Sequence, residues 1–385
     1  MKKLVVGVTA PGSVMLLEGQ LKYFTLLGYQ TYLITQEDEK ARLFCEKEGC
    51  IFLPITIRRD ISIVSDLSAL VQIIRHFHFV KPDIVNVGTS KMGLLGTIAG
   101  FLTSVPLRIY TARGLRYETE KGLKRIVLMG VLKIVGLLTH RIICISEAIR
   151  VKAVGNKLFP AHKTRVIHKG SSNGIDLEKF APKAELKSEI EELRQTLGLA
   201  DSFVFGFVGR LNDRKGINEL YEAFIKLAAD YPVKLLIVGP VEVGNLANKQ
   251  IIENIKTHPS IVYVGFQSNV PLYLSLMDVF VLPTWSEGFG NVFIQAAAMG
   301  VPVIGTRVSG VQNAVSDGFN GMLTNLKDVG DLYDKMTLLY TDSQKRNALA
   351  ANGRPWAMNF DRQVIWEGQH LIYEEKNINY EPSRN

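Results

Sequence analysis

Cysteine is scarce in this sequence of 385 residues, which contains three. Such a small, odd number offers no disulfide framework, and Cys45 and Cys50 lack the second Cys or His pair that would complete a metal site. This cysteine usage fits a reducing compartment. The N-terminal stretch MKKLVVGVTAPGS lacks the apolar length and the small-residue cleavage site of a signal peptide, so we expect a cytoplasmic protein.

Other patterns are also missing. No low-complexity tract or short-period repeat is present, which argues against a solenoid. The nearest approach to a G-x-G-x-x-G fingerprint, Gly288–Phe293, ends in a bulky residue where close helix packing requires glycine or alanine, and this argues against a nicotinamide-dependent oxidoreductase. No Asp-x-Asp motif follows a strand, and the acidic run at Glu37–Glu39 is typical of a solvated loop. We predict no metal and no cofactor.

The composition, with 47% apolar and 21% charged residues, is that of a globular enzyme, and the length favours two domains. A net charge of +8 favours anionic partners: nucleic acid, phospholipid or a phosphorylated small molecule. The cations are spread along the chain and no nucleic-acid motif interrupts the pattern, so a non-catalytic nucleic-acid protein is the weakest of these alternatives.

Apolar strand-like runs alternate with helical spacing along the chain, from LVVGVTA through TYLIT, DIVNVG and LRIYTA to RIICIS. A polar stretch then precedes a second series, which opens with FVFGFVG. This rhythm predicts two α/β domains, each with a parallel sheet. We place a Rossmann-like domain at 1–175, a linker at 176–200, a second Rossmann-like domain at 201–358, and a C-terminal helix at 359–385 that packs back toward the first domain.

Two motifs follow predicted strands of the second series, where ligands of parallel sheets collect. In FVGRLNDRKGINEL, Arg210 and Lys215 stand beside a helix start and suit a diphosphate, although a solvated basic turn remains the alternative. In WSEGFGNVFIQ, glycines allow the backbone close to a ligand, and Asn291 is predicted to cap the helix. Glu287 and Gln295 then face one pocket, which suits a sugar or a ribose.

The motifs GRLNDRKG, SEGFGNVFIQAAAMGVPVI and SDGFNGML resemble the C-terminal half of the retaining glycosyltransferases of family 4. The N-terminal half, through KPDIVNVGTSKMGLLG, IYTARGLRYE, IICIS and VIHKGSSNGID, resembles the branch that builds bacterial capsule, O-antigen or exopolysaccharide. The resemblance implies an α/β protein of the GT-B fold, in which two facing Rossmann-like domains with parallel sheets enclose a cleft.

The resemblance also implies residue roles. Arg210 and Lys215 hold the donor diphosphate, and Glu287 matches the first acid of the family's E-x7-E pair and contacts the donor sugar. Gln295 stands where the second acid hydrogen-bonds the ribose, and Arg113 where many relatives have a histidine, so both depart from the family pattern. The other implied substrate-binding residues are Gly12 and Ser13 near the phosphates and acceptor, Gly265 and Phe266 near the base, and Gly288, Phe289, Gly290, Asn291 and Val292 along the sugar.

The implied function is metal-independent transfer of a hexose, with retention, from a nucleotide-sugar to a polyprenyl-diphosphate-linked glycan in surface polysaccharide synthesis. UDP is the expected nucleotide, with GDP as the alternative. In such enzymes the attack is on the front face and no protein nucleophile is required. A GT-B sugar-nucleotide epimerase is the closer rival, and the E-x7-Q pattern argues against it.

The segment 121–142 (KGLKRIVLMGVLKIVGLLTHRI) mixes basic and aliphatic residues. It is interrupted by Lys133 and is too short in apolar residues to span a bilayer. It suits either an amphipathic helix packed on the sheet or a helix lying on an anionic membrane. The resemblance favours the membrane, so we expect a peripheral protein on the inner face of the cytoplasmic membrane.

Overall fold

The computed structural model describes residues 1–58 and 62–375, which form two compact units. The first unit contains Met1–Gly174 and the chain from Gln363 onward, and the second contains Ile175–Arg362. Residues 176–200, which the sequence analysis assigned to a linker, lie within the second unit. The chain therefore leaves the first unit once and returns to it at its C-terminal end.

The first unit is built on a seven-stranded sheet in the order β3-β2-β1-β4-β5-β6-β7, with every pair parallel. Its central strands are apolar runs buried along their length, as expected for a sheet covered on both faces. The last strand has two residues. The strands are β1 (Lys3–Gly7), β2 (Gln30–Gln36), β3 (Ile51–Ile55), β4 (Ile84–Gly88), β5 (Leu107–Ala112), β6 (Arg141–Cys144) and β7 (Thr164–Arg165).

Helices connect these strands. Asp38, within the acidic run, caps the second helix by accepting a hydrogen bond from the Lys40 amide at 2.8 Å, and Ser146 caps the sixth in the same manner. The helices are α1 (Gln20–Leu26), α2 (Glu39–Glu48), α3 (Ile63–Val80), α4 (Ser90–Leu102), α5 (Gly122–Leu138) and α6 (Glu147–Gly155).

The second unit has a six-stranded parallel sheet in the order β10-β9-β8-β11-β12-β13. Its strands are β8 (Phe203–Val208), β9 (Val233–Val238), β10 (Ile261–Tyr263), β11 (Val279–Leu282), β12 (Val303–Thr306) and β13 (Gly321–Thr324). Its helices are α7 (Lys187–Thr196), α8 (Ile217–Asp230), α9 (Gln250–Thr257), α10 (Val270–Leu274), α11 (Asn291–Ala298), α12 (Ser309–Ala314), α13 (Val329–Thr341) and α14 (Ser343–Ala357).

The strand order reverses at one point in each sheet, between β1 and β4 in the first unit and between β8 and β11 in the second. In doubly wound sheets of this kind, ligands bind outside the carboxyl ends of the strands that flank this point. Loops that are distant in sequence, such as those after β8 and β11, therefore become neighbours.

The C-terminal helix α15 (Arg362–Glu374) completes the core of the first unit. The Tyr373 ring packs on Phe24 with centroids 5.0 Å apart, and its hydroxyl accepts a hydrogen bond from Asn86 Nδ2 at 2.7 Å. Trp366 donates its ring N–H to Asn173 Oδ1 at 2.7 Å. Because these side chains are buried, removing α15 would expose the apolar face of α1.

Candidate active site

The loop after β8 is held in a tight turn. Asn212 Oδ1 accepts a hydrogen bond from the Lys215 amide at 3.0 Å, and Gly216 has a φ of 71° in the left-handed region. A Cβ at Gly216 would lie 2.0 Å from the carbonyl oxygen of Pro283, just beyond β11. Only glycine combines a left-handed backbone with the absence of a Cβ that would clash here. The loop after β8 therefore packs directly on the loop after β11.

Hydrogen bonds join these two loops. The amide of Trp285 donates to the carbonyl of Arg214 at 2.8 Å, and Thr284 Oγ1 donates to the same carbonyl at 3.0 Å. In return, Arg214 Nη2 donates to Ser286 Oγ at 2.8 Å. The Trp285 ring N–H donates to Glu219 Oε1 on α8 at 2.9 Å, which anchors the second loop to the helix that follows the first.

The side chains of Lys215 and Glu287 form an ion pair at this junction. Both are mostly covered, with 18% and 17% of their side-chain surface exposed. Partial burial weakens screening by water, so each charge acts strongly on its surroundings. The two residues that the sequence analysis assigned to neighbouring parts of one ligand are thus in direct contact.

The glycine turn after Glu287 opens α11, but its cap differs from the prediction. The helix begins at Asn291, and its N-cap is Gly290, which has a φ of 78° and no capping side chain. The prediction that Asn291 caps the helix is wrong, because a left-handed residue is needed one position earlier and glycine adopts that conformation without strain. The Phe289 ring is buried against Phe360 with centroids 5.3 Å apart. Only the backbone of Phe289 is therefore available for contact with a ligand.

Val292 and Gln295 lie in the first two turns of α11, and both are half-buried. The carbonyl of Gln295 accepts a hydrogen bond from the Met299 amide at 3.2 Å. Within the described residues, its side-chain amide has no hydrogen-bond partner. The side-chain amide of Gln295 is therefore available to bind a ligand at the end of α11 nearest Glu287.

Gly310, in the first turn of α12, supports the Glu287 loop and was missed by the sequence analysis. A Cβ at this position would lie 2.2 Å from the carbonyl oxygen of Glu287 and 2.9 Å from the carbonyl carbon of Gly288. The backbone of α12 therefore lies against the backbone that carries Glu287. A single glycine early in a short helix gives no sign of this contact in the sequence.

Arg210 is exposed and is held by Glu242, a second residue that the sequence analysis missed. Its Nη1 donates to Glu242 Oε1 at 2.5 Å, and Asn212 Nδ2 donates to Oε2 at 2.5 Å. Burial acts to raise the pKa of Glu242, but these hydrogen bonds outweigh it and the pKa falls below its ordinary value. Glu242 thus stays ionised and orients Arg210 beside the loop of Lys215.

The loops after β9 and β10 pack beside the one after β8. A Cβ at Gly239 would lie 1.8 Å from the carbonyl oxygen of Gly209, and the Gly239 amide donates to the carbonyl of Gly265 at 2.7 Å. Gly265 has a φ of 68°, and Phe266 beside it is 73% exposed. An aromatic ring is therefore presented at the same edge of the sheet as Arg210.

The remaining predicted residues belong to the first unit. Gly12 and Ser13 lie in a 3-10 turn after β1, where the Ser13 amide donates to the carbonyl of Ala10 at 2.8 Å. Arg113 follows β5 and donates from Nε to Ser172 Oγ at 2.9 Å. Burial lowers the pKa of its guanidinium to about 10, which still leaves it protonated at neutral pH.

Comparisons with known proteins agree along the whole chain. Residues 12–179 match the model of Glycosyltransferase Family 4, and residues 189–356 match that of Glycosyl transferases group 1. The capsular polysaccharide biosynthesis glycosyltransferase CapM of Staphylococcus aureus is 38% identical over 95% of each chain. The Escherichia coli UDP-Gal:alpha-D-GlcNAc-diphosphoundecaprenol alpha-1,3-galactosyltransferase is 29% identical over 85% of this chain and 86% of that enzyme.

Among solved structures, Anabaena Alr3699/HepE in complex with UDP has a TM-score of 0.80 at 22% identity, covering 97% of this chain and 98% of that one. This likeness concerns the fold. The matches support glycosyl transfer and give no support to the epimerase alternative. Since CapM is similar along nearly the whole chain, the protein belongs to the glycosyltransferases of family 4, and its two Rossmann-like units have the GT-B fold.

Proposed function

We propose that this enzyme transfers a hexose from a UDP-sugar to a polyprenyl-diphosphate-linked glycan during synthesis of a bacterial surface polysaccharide, with retention of configuration. The second unit binds the donor and the first binds the acceptor. The names of the Staphylococcus aureus and Escherichia coli relatives support the process and the class of acceptor. The nucleotide in the Anabaena structure and in the name of the Escherichia coli enzyme supports UDP.

The contact between Lys215 and Glu287 is the observation that carries this proposal. Loss of a nucleoside diphosphate leaves negative charge on the departing phosphate, which a fixed cation stabilises. Lys215 and Arg210 supply that charge, and the N-terminus of α11 adds backbone N–H groups and the positive end of its dipole. Glu287, held beside Lys215, accepts hydrogen bonds from sugar hydroxyls. A front-face attack, in which a donor phosphate oxygen takes the acceptor proton, requires no protein nucleophile.

The test compares UDP binding and transfer in Lys215→Ala and Glu287→Ala with those in Lys226→Ala, which removes an exposed lysine of α8. Lys215→Ala should weaken UDP binding and Glu287→Ala should leave it largely intact, while both should lower kcat/KM for transfer by about 100-fold or more. The double variant Lys215→Ala/Glu287→Ala leaves neither charge unpaired and separates folding effects from function. Wild-type transfer in either single variant would refute the assignment, and a new sugar nucleotide formed without acceptor would identify an epimerase.

We further propose that α5 rests on an anionic membrane. Its first turns expose Leu123, Ile126 and Val127 at 76%, 66% and 51%. Lys121 and Lys124 stand beside them, also exposed. An apolar face that points away from the sheet, flanked by cations, matches a helix that lies in the interfacial region of a bilayer. Each basic residue near an anionic surface adds about 1 kcal/mol of attraction.

A second helix of the first unit, α3, also has an exposed apolar side; it packs on α4, which in turn packs on α5. By length and composition, α3 is the one described helix that is long and apolar enough to cross a membrane, with 22% of it buried. Its residues Ala69, Ile73 and Phe77 pack in the core beside the sheet, so one face of α3 is buried in the first unit. On its other side Ile63, Val64 and Leu67 are exposed.

Vesicle flotation tests the membrane proposal. The wild type should float with vesicles rich in phosphatidylglycerol at low salt and remain in solution with phosphatidylcholine alone. Replacing Leu123, Ile126 and Val127 with serine should abolish flotation, whereas Leu326→Ser, at an exposed apolar site of the second unit, should leave it unchanged. Flotation of the triple variant at the wild-type level would show that α5 does not form the membrane-binding surface.

A further inference from the structure

Arg113 is an unusual arginine because one of its nitrogen atoms is buried and unused. Nε donates to Ser172 Oγ, but Nη1 is buried and has no hydrogen-bond partner among the described residues. A guanidinium has five N–H donors, and burying a charged donor without a partner is strongly destabilising. Buried polar groups that serve only the fold are nearly always hydrogen-bonded.

The residues that surround this nitrogen are neutral. Tyr110 and Tyr373 are the groups that act electrostatically on the guanidinium, and both are phenols. Beneath it, Asn86 bridges Thr111 and Tyr373 through hydrogen bonds of 2.8 and 2.7 Å. Among the residues that the structure describes, no carboxylate therefore balances the positive charge that Arg113 carries at the edge of the sheet.

Gly88, at the end of β4, makes room for Nη1. A Cβ on Gly88 would lie 1.6 Å from that atom, so any other residue would displace the guanidinium. Gly88 is paired with Thr111 across the sheet, and the next residue, Thr89, is the N-cap of α4. The unpaired nitrogen thus lies where α4 begins.

The N-cap residue of α4, Thr89, makes no side-chain cap, but Thr9 Oγ1 accepts a hydrogen bond from the Met92 amide in the first turn at 3.0 Å. Thr89 has a φ of 67°, which is rare for a β-branched residue, and its hydroxyl is bonded to Thr9 Oγ1 at 2.7 Å. The positive end of the dipole of this helix of 13 residues therefore adds to the charge of Arg113. The charge of Arg113 and the dipole of α4 thus act on the same region of the first unit, and an anion in that region would be attracted by both.

We propose that Arg113 and the first turn of α4 form a subsite for a phosphate group of a substrate. The inference rests on the proposed function for the identity of that substrate, which is either the acceptor diphosphate or the donor diphosphate. Arg113 and α4 belong to the first unit, whereas Lys215 belongs to the second. The shared chemistry is a phosphate oxyanion that accepts from the Arg113 guanidinium and from backbone N–H groups of α4.

Pyrophosphate binding tests the subsite without requiring transfer. In a Lys215→Ala background, which weakens the donor site, pyrophosphate should raise the Tm of the protein. Arg113→Met should lower the affinity for pyrophosphate by at least about tenfold, the factor expected for one charge-assisted hydrogen bond. Without ligand, Arg113→Met should have a Tm equal to or above that of its parent, because it removes an unbalanced charge. Arg113→Lys should bind with intermediate affinity.

Arg108→Met is the matched control. The Arg108 guanidinium is also partly buried in the first unit, but it donates to the carbonyls of Leu138 and Val105 at 2.9 and 2.8 Å. Its loss should lower the Tm and leave pyrophosphate affinity unchanged. If Arg113→Met instead lowers the Tm as Arg108→Met does and keeps its affinity for pyrophosphate, Arg113 is a structural residue and the proposal is overturned.

Steady-state kinetics identify the source of the phosphate. A rise in KM for the lipid-linked acceptor alone assigns the subsite to the acceptor diphosphate, and a rise for the UDP-sugar alone assigns it to the donor. Unchanged KM values for both substrates would overturn the proposal. If no transfer is found with any acceptor, the pyrophosphate measurements still decide the subsite, so the two proposals fail independently.

Discussion

Replacing Gly310 with alanine tests whether the backbone position of Glu287 determines the rate of transfer. The added Cβ would lie 2.2 Å from the carbonyl oxygen of Glu287 and 2.9 Å from the backbone of Gly288. Neither atom belongs to a flexible side chain, so α12 or the Glu287 loop must move. An ordinary contact requires a shift of about 1 Å, and a displacement of that size at a substrate-positioning group costs about 100-fold in rate.

The substitution should also affect stability. Adding a methyl group to a packed contact costs about 1–3 kcal/mol, which leaves most of a typical folding free energy intact. Gly310→Ala should therefore remain folded, with kcat/KM for transfer lower by one to two orders of magnitude. Because the three atoms nearest to the added Cβ all belong to Glu287 and Gly288, UDP affinity should change less than the rate.

Gly330→Ala provides the control. Gly330 lies in the first turn of α13, and a Cβ there would meet Asp328 Oδ1 at 3.4 Å, an ordinary contact. Alanine should stabilise that helix slightly and leave transfer unchanged. The assay is UDP release with the lipid-linked acceptor, alongside urea unfolding of each variant. Wild-type kcat/KM in a folded Gly310→Ala enzyme would refute the view that α12 positions Glu287.

Three further predictions address other parts of the molecule. Glu242→Gln removes the carboxylate that pairs with Arg210 and should raise KM for the donor by up to about fivefold, which corresponds to the energy of a surface ion pair. An unchanged or lower KM in steady-state kinetics would contradict this. Burial and neighbouring cations lower the pKa of His140 from 6.5 to about 4. Between pH 6.5 and pH 4 the unfolded state therefore binds more protons than the folded state, and the free energy of unfolding of the wild type should fall as the pH is lowered through this range. Urea unfolding at pH 7 and pH 5 should show that His140→Asn loses less free energy of unfolding between these pH values than the wild type does. An equal loss in the two proteins would exclude His140 as the source of the pH dependence. Tyr373→Phe leaves Asn86 Nδ2 without its acceptor and should lower the free energy of unfolding by about 1–3 kcal/mol, whereas no change would show that the bond contributes nothing.

The alternation of strands and helices was sufficient to predict both sheets and the sheet edge at which Lys215 and Glu287 lie. Lys215 and Glu287 are 72 residues apart, yet each was expected just after a strand, where ligands of parallel sheets bind. Their direct contact depends on β8 lying next to β11, which the alternation alone does not specify. The sequence therefore predicts the edge of the sheet but not which loops meet there.

The missed residues act through contacts that have no local signature. Gly310 supports Glu287 from another helix, and Glu242 reaches Arg210 from the loop after β9. The error at Asn291 has a different cause, since a statistical preference for asparagine at helix caps was overridden by the left-handed turn at Gly290. Amphipathic spacing identified two faces of α5, but only the structure distinguishes the face on the sheet from the face in solvent.

The return of α15 to the first unit has a consequence for synthesis of the enzyme. Residues 175–362 separate the body of the first unit from the helix that completes its core. At typical translation rates, about 10–40 s pass between the emergence of Gly174 and that of Trp366 and Tyr373 from the ribosome. During that interval the apolar side chains around Phe24 that α15 later covers stay exposed to solvent while the second unit folds. Ribosomes stalled before Gln363 should carry a folded second unit and an incomplete first unit.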